Sequence, residues 1–220
     1  MIPKVIHYCW FGRKEKPQSV MEYISSWKRA CPDYAIKEWN EDNFDIYKFP
    51  YTREAYRVGK YAFVSDVVRL YALQLEGGIY LDTDVKLLKS FDDFLNYRSF
   101  IGMETPFWVS TAVIGAEANV SWVKDFYDTY TQLHFIRKSG LLKTVPNTYT
   151  LTQFLHQRFP HDEKDLNIYP MDFFSAKIYA TKEYRITDNT VAVHDFASTW
   201  LSPISTSQRL RNMIIRYVKK

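Results

Sequence analysis

Residues 76–84 read Glu76-Gly77-Gly78-Ile79-Tyr80-Leu81-Asp82-Thr83-Asp84. Ile79 to Leu81 is a short apolar run that predicts a strand, and two carboxylates stand where that strand ends. The preceding stretch, Tyr61 to Glu76, is helical in composition, and Gly77-Gly78 predicts a left-handed cap at its C-terminus. A helix passing through a tight turn into a strand that ends in Asp-x-Asp is an α/β arrangement, and ligands of open α/β sheets bind at such strand ends. Carboxylate oxygens placed there suit Mg²⁺ or Mn²⁺. An isolated Asp-x-Asp equally describes a polar turn, so the surrounding chain has to decide.

Upstream, Lys4 to Trp10 predicts a first strand, followed by Phe11-Gly12. Ser19-x-x-Glu22 has the form of a capping box, opening a helix whose Val20, Ile24, Trp27 and Cys31 recur at helical spacing until Pro32. Tyr34 to Trp39 predicts a second strand, which makes a strand, helix, strand unit with parallel strands. Downstream, strands are predicted at Val85 to Leu88, Ser99 to Met103, Val109 to Gly115 and Val191 to His194. Helices are predicted over Asn119 to Leu133, Leu151 to Phe159 and, basic and amphipathic, Ser207 to Lys220. No repeat or linker divides the chain, so residues 1–220 read as one domain. A chain of 220 residues buries roughly 70% of its unfolded surface, enough for one core.

Composition removes several classes. The net charge of +4 is too balanced for a dedicated nucleic-acid binder, and no nucleic-acid partner is expected. Seven glycines include neither a G-x-G-x-x-G nor a Walker loop. Cys9 and Cys31 lack metal-ligand spacing and are too few for a disulfide scaffold, which fits a reducing compartment. The opening residues lack a signal-peptide core, and no apolar run reaches the roughly 18 residues of a membrane span, so a cytoplasmic protein is expected.

On the 61–76 helix, Asp66 and Arg69 share a face at i,i+3 spacing. Arg69 there could offer a planar fork to phosphate or to a sugar hydroxyl, and Asp66 could accept sugar hydroxyls. Ser65-Asp66-Val67-Val68-Arg69, followed by Glu76 to Asp84, resembles the DXD sugar-binding glycosyltransferases of family 32. These comprise fungal mannosyltransferase-like enzymes, bacterial capsule and polysaccharide transferases and, more distantly, the glucosylating domains of large clostridial toxins. Ile2 to Gly12 is similar to their opening strand, and Ser198-Thr199-Trp200 to their closing motif.

The resemblance implies a GT-A fold, a single Rossmann-like domain with a central mixed sheet flanked by helices. It also implies a nucleoside-diphosphate sugar donor, uridine being favoured, with Mn²⁺ or Mg²⁺ and retention at the anomeric carbon. The acceptor it implies is a saccharide or lipid-linked saccharide, in polysaccharide biosynthesis. Trp10 matches the aromatic that stacks on the base, and Asp66 and Arg69 match the pair on the donor sugar. Tyr80 lies beside the ribose and sugar, Asp82 binds their hydroxyls and bridges to the metal, and Asp84 is the direct ligand. Trp200 matches the tryptophan on the diphosphate, while the remaining metal contact is left open among His194, Asp195 and Ser198. Asp82, Asp84 and Arg69 are expected to carry the catalytic electrostatics.

The chain departs from the family in two respects. It lacks the long helical insertions with which the toxins recognise protein acceptors, and Ser110-Thr111-Ala112 holds no Asn where many relatives place one near the reacting centre. Two rivals stay in view. An aspartyl phosphohydrolase would want Thr or Val where Lys86 stands, and a lectin-like module would have no use for a diphosphate site. His7 is expected to be a buried, hydrogen-bonded histidine. The basic helix at 207–220 suits either packing of its apolar stripe on the core or peripheral contact with an anionic membrane, the second of which would place the protein at the inner face of the plasma membrane.

Overall fold

A computed structural model describes residues 1–158 and 165–197. The elements in chain order are β1 (Val5–Cys9), α1 (Gln18–Ala30), β2 (Ala35–Trp39), α2 (Pro50–Arg57), α3 (Tyr61–Glu76), β3 (Gly78–Leu81) and β4 (Val85–Leu87). They continue with β5 (Ser99–Met103), β6 (Val109–Ala116), α4 (Ser121–Asp128), α5 (Asn147–Arg158), β7 (Asn167–Tyr169), α6 (Met171–Phe174) and β8 (Ala192–His194). Six strands form one mixed sheet in the order β2-β1-β3-β6-β5-β7. β6 alone runs against its neighbours, so the C-terminal ends of β1, β2, β3, β5 and β7 share one edge. β4 and β8 pair antiparallel as a separate ribbon.

Both faces of the sheet are covered, which explains why β3 and β6 are buried along their whole length without alternation. On one face Tyr80, Ile101 and Ile114 join Val64, Val67 and Leu70 of α3 and Trp122 and Phe126 of α4. On the other, Ile79, Leu81 and Val113 meet Val20, Ile24 and Trp27 of α1, together with Val85 and Ala192 of the ribbon. Two cores thus clamp β3 at the centre of the sheet.

The turn from α3 into β3 is tighter than a left-handed cap. Gly77 has φ 65° and ψ −168°, a region open to glycine alone, rather than the helical ψ expected from the sequence. Its carbonyl accepts a hydrogen bond from His7 Nε2 at 2.8 Å. Trp39 Nε1, which can only donate, points at His7 Nδ1 from 3.1 Å, so the ring proton sits on Nε2. His7 is therefore a neutral, satisfied histidine, and burial lowers its pKa. Gly78 has φ 108°, and a Cβ there would lie 2.6 Å from the Val5 carbonyl oxygen. Gly78→Ala is expected to cost about 2–3 kcal/mol through backbone strain and the clash with β1. A denaturation midpoint equal to that of the parent chain would show that this turn tolerates a side chain.

Several sequence expectations need correction. The capping box does not form: Pro17, held at φ −59°, is the N-cap, and its carbonyl takes the Val20 and Met21 amides. Ser19 thereby falls inside the first turn and makes no capping bond. The predicted 119–133 helix is limited to Ser121–Asp128, because Asn119 sits at φ 59° before it and short turns follow it. α5 starts earlier than predicted, at Asn147, and Phe159 lies outside the described residues. α2 is amphipathic, burying Tyr51, Thr52 and Ala55, but at eight residues it is short and lies outside the elements expected from the sequence. Pro50 at its first position, where a missing N–H costs nothing, starts it. The predicted 207–220 helix also lies outside the described residues.

Candidate active site

The sheet edge that collects the C-terminal ends of the parallel strands holds Trp10 after β1, Asp82 and Asp84 after β3, and Glu104 after β5. The Asp82 amide donates to the Ala112 carbonyl and its own carbonyl accepts from Val85, which pins the Asp-x-Asp turn between β3 and β4. The ribbon register pairs Val85 with His194, so β8 delivers His194 to the side of Asp84. Single ligand atoms of Asp82, Asp84 and His194 all lie within 4.8 Å of one another.

Strand geometry decides between two of the candidates for the third contact. Successive side chains at the end of β8 point to opposite sides, and only His194 joins the pair, with Nε2 3.4 Å from Asp84 Oδ1. Asp195 faces the other way, where it accepts from Tyr23 Oη at 2.7 Å and Tyr184 Oη at 2.9 Å and pairs with Lys177. These partners hold its carboxyl below its usual value, although burial alone would raise it. Asp195 is therefore corrected from candidate ligand to structural anchor. Ser198 and Trp200 lie outside the described residues.

Behind the aspartates is a buried layer built on Arg69. Its Nη2 lies 3.0 Å from Asp66 Oδ1 and 3.3 Å from Asp82 Oδ1, Nη1 donates to the Thr111 carbonyl, and Nε reaches the Ser65 carbonyl at 3.3 Å. The guanidinium lies 4.7 Å from the centroid of the Tyr80 ring, and Tyr80 Oη donates to Asp82 Oδ1 at 2.9 Å. Asn147, at the start of α5, donates to Asp66 Oδ1 at 3.2 Å. The polar atoms of Arg69 and Tyr80, expected to face the donor, here also serve Asp66, Asp82 and the backbone. They position Asp82, whose carboxylate is the exposed end of the network. Trp10 is half-buried at the same edge, with Nε1 donating to the Lys14 carbonyl at 2.6 Å.

The charges are unbalanced. Four carboxylates, those of Asp66, Asp82, Asp84 and Glu104, face one guanidinium and one imidazole. Burial pushes Asp66 up to about 6 in spite of Arg69. Burial also raises Glu104, with Asp82 and Asp84 adding to it against the pull of His194. Burial would raise Asp84 as well, but His194 and the Ala197 amide, 2.8 Å from Asp84 Oδ2, hold it low. For His194 the neighbouring Asp84, Asp82 and Glu104 raise the pKa against burial. The donor set fits a divalent cation on two counts: hard oxygens with one imidazole, and a surplus of negative charge. Sequence reasoning missed Glu104 and Asn147, which belong to no local motif and reach the site only through the fold.

An open α/β sheet with an Asp-x-Asp turn at its central strand, backed by an Asp-Arg pair on the preceding helix, is the architecture of GT-A glycosyltransferases, and this fold is GT-A. The family model of glycosyltransferase sugar-binding regions containing a DXD motif matches residues 17–108. The chain is 30% identical over 122 residues to inositol phosphoceramide mannosyltransferase 3 of Schizosaccharomyces pombe, covering 52% of this chain and 33% of that protein. It is 27% identical over 135 residues to a mannosyl phosphorylinositol ceramide synthase of Saccharomyces cerevisiae, covering 53% and 31%. The chain thus spans about a third of the length of these curated relatives. Among solved structures, the PaToxG glycosyltransferase superposes with a TM-score of 0.55 at 20% identity, covering 72% of this chain and 70% of that one.

Proposed function

We propose that this protein transfers a hexosyl group from a nucleoside-diphosphate sugar, a UDP-sugar foremost, to a saccharide or glycolipid acceptor, with retention at the anomeric carbon. The observation that carries this reading is the convergence of Asp82, Asp84 and His194 at the edge of the sheet, with ligand atoms within 4.8 Å. In this reading those three residues hold Mn²⁺ or Mg²⁺. When bound, the cation supplies Lewis-acid stabilisation to the diphosphate oxygen that receives the bonding electrons as the anomeric carbon is released.

The chain's own residues prepare that event. Arg69 and Tyr80 fix the direction of Asp82, so that its carboxylate is oriented before the donor arrives and no reorganisation is spent at the moment of reaction. Trp10 offers an aromatic face for the base. The ceramide-linked substrates named for the two yeast relatives favour a glycolipid acceptor. A glycolipid in turn favours work at the cytoplasmic face of a membrane. A chelate with nothing but turnover of simple phosphomonoesters would favour the phosphohydrolase rival.

The test is a panel of nucleotide sugars incubated with the protein and Mn²⁺, following slow donor hydrolysis without acceptor. One donor is expected to be consumed well above the rest, with loss of turnover in excess chelator and recovery on adding Mn²⁺. Hydrolysis that persists in chelator would sink the cation-dependent reading. Tight binding of a nucleoside diphosphate with no turnover of any donor would leave a binding module instead.

A further inference from the structure

His194 has one ring nitrogen more than the cation site uses. It is 9% exposed, and Nε2 is the nitrogen on the Asp84 side, 3.4 Å from Oδ1. Nδ1 is buried and, among the described residues, without a hydrogen-bond partner. A buried nitrogen left unpaired is unfavourable, because it has given up water without gaining a partner. An imidazole that gives its Nε2 lone pair to a cation must carry its proton on Nδ1, and that N–H then requires an acceptor. Among the described residues, the carboxylates recorded within 4 Å of His194 are Asp84 and Glu104, and Glu104 Oε2 lies 3.8 Å from Nδ1.

Glu104 is well placed to fill this role. It stands at the end of β5, in the hairpin to β6, where the amides of Glu104 and Thr105 both bond the Trp108 carbonyl, at 2.8 and 3.2 Å. The backbone is thereby held while the side chain keeps its rotatable bonds. Its carboxylate is mostly buried beside the cluster, and no motif or neighbour in sequence accounts for an acid in that position. The 3.8 Å gap is longer than a hydrogen bond, and the side chain would have to shift toward Nδ1 to close it.

We infer that Glu104 is a positioning residue: it accepts the Nδ1–H of His194 and so selects the tautomer and ring orientation with which His194 meets a divalent cation. This rests on the proposed cation site at Asp82, Asp84 and His194. It adds a fourth residue, from a different hairpin, whose contribution runs through His194 rather than through the cation or the donor.

The experiment is Mn²⁺ binding to the full chain, read as free Mn²⁺ by electron paramagnetic resonance, for the parent and four variants. Glu104→Ala is expected to weaken binding by roughly 10- to 100-fold, the range for loss of a partner behind a ligating histidine. Glu104→Gln keeps an acceptor oxygen in the same place and is expected to stay within about threefold of the parent, the conservative change preserving the hydrogen bond. His194→Ala and Asp84→Ala are expected to lose binding outright. Nitrogen-15 spectra of the Mg²⁺-loaded protein are expected to show the His194 proton on Nδ1.

Undiminished affinity in Glu104→Ala, with His194→Ala deficient, would overturn the role of Glu104 and leave the cation site standing. Equal losses in the Ala and Gln variants would assign the effect to charge and overturn it as well, as would a proton found on Nε2. Should neither His194→Ala nor Asp84→Ala change Mn²⁺ binding, the cation site itself is refuted and this inference falls with it.

Discussion

Asp84→Ala is expected to lower transferase turnover at least about a hundredfold, comparable with removing a main electrostatic element of a transition state. Asp84 is the one aspartate of the pair that touches His194 and receives the Ala197 amide, so its loss dismantles the cluster from two sides. Stability should change little by comparison. The substitution gives up one hydrogen bond to a backbone amide, worth about 1 kcal/mol, and it removes one of several closely spaced carboxylates. The check is steady-state turnover of the preferred donor beside a urea titration of the same preparation. A folded variant with near-parental turnover would remove Asp84 from the chemistry.

Arg69→Met should do the reverse, with its first effect on stability. The guanidinium is buried between Asp66 and Asp82 and is the only cation recorded in contact with either among the described residues. Removing one partner of a buried ion pair leaves charge stranded, at a cost of about 3–5 kcal/mol, a large share of the roughly 5–15 kcal/mol that holds a domain folded. Arg69→Lys keeps the charge but cannot reach two carboxylates and the Thr111 carbonyl at once, so an intermediate loss is expected. Pairing Asp66→Asn with Arg69→Met should recover part of the loss, because one stranded carboxylate is then gone. An unchanged urea midpoint for Arg69→Met would mean that the pair is as dispensable as an exposed one.

The central elements were legible because their sequence signals and their environments coincide. Tyr61–Glu76 is helical over the range predicted, since an apolar stripe, a composition of good helix formers and a Gly-Gly stop all agree. Ile79 to Leu81 and Ser99 to Met103 are buried on both faces, so an uninterrupted apolar run was sufficient. The edges were harder. Pro17 displaced a well-formed capping signal because chain entry, rather than the Ser19 hydroxyl, sets the first turn.

At the site, Asp82 and Asp84 announce themselves by spacing. The choice between His194 and Asp195 does not, because it depends on which way a three-residue strand faces once it has paired with β4. Glu104 and Asn147 lie further still from sequence reasoning. Each is an ordinary polar residue in its own segment and acquires meaning from partners dozens of positions away. The added role of Arg69 has a similar origin, since i,i+3 spacing places it beside Asp66 but says nothing of the Thr111 carbonyl that it also bonds.

The pairing of Val85 with His194 also bears on how the molecule comes together. A cation shared by Asp82, Asp84 and His194 would be a cross-link between the middle of the chain and its late segment, closing a long loop that contains β5, β6, α4, α5, β7 and α6. Such a cross-link would form only after the ribbon has docked, so β8 completes the site. Loading and unloading the ion would then work as a latch on that strand. The affinity gained by the ion and the hold it gives on β8 are one free energy seen from two ends.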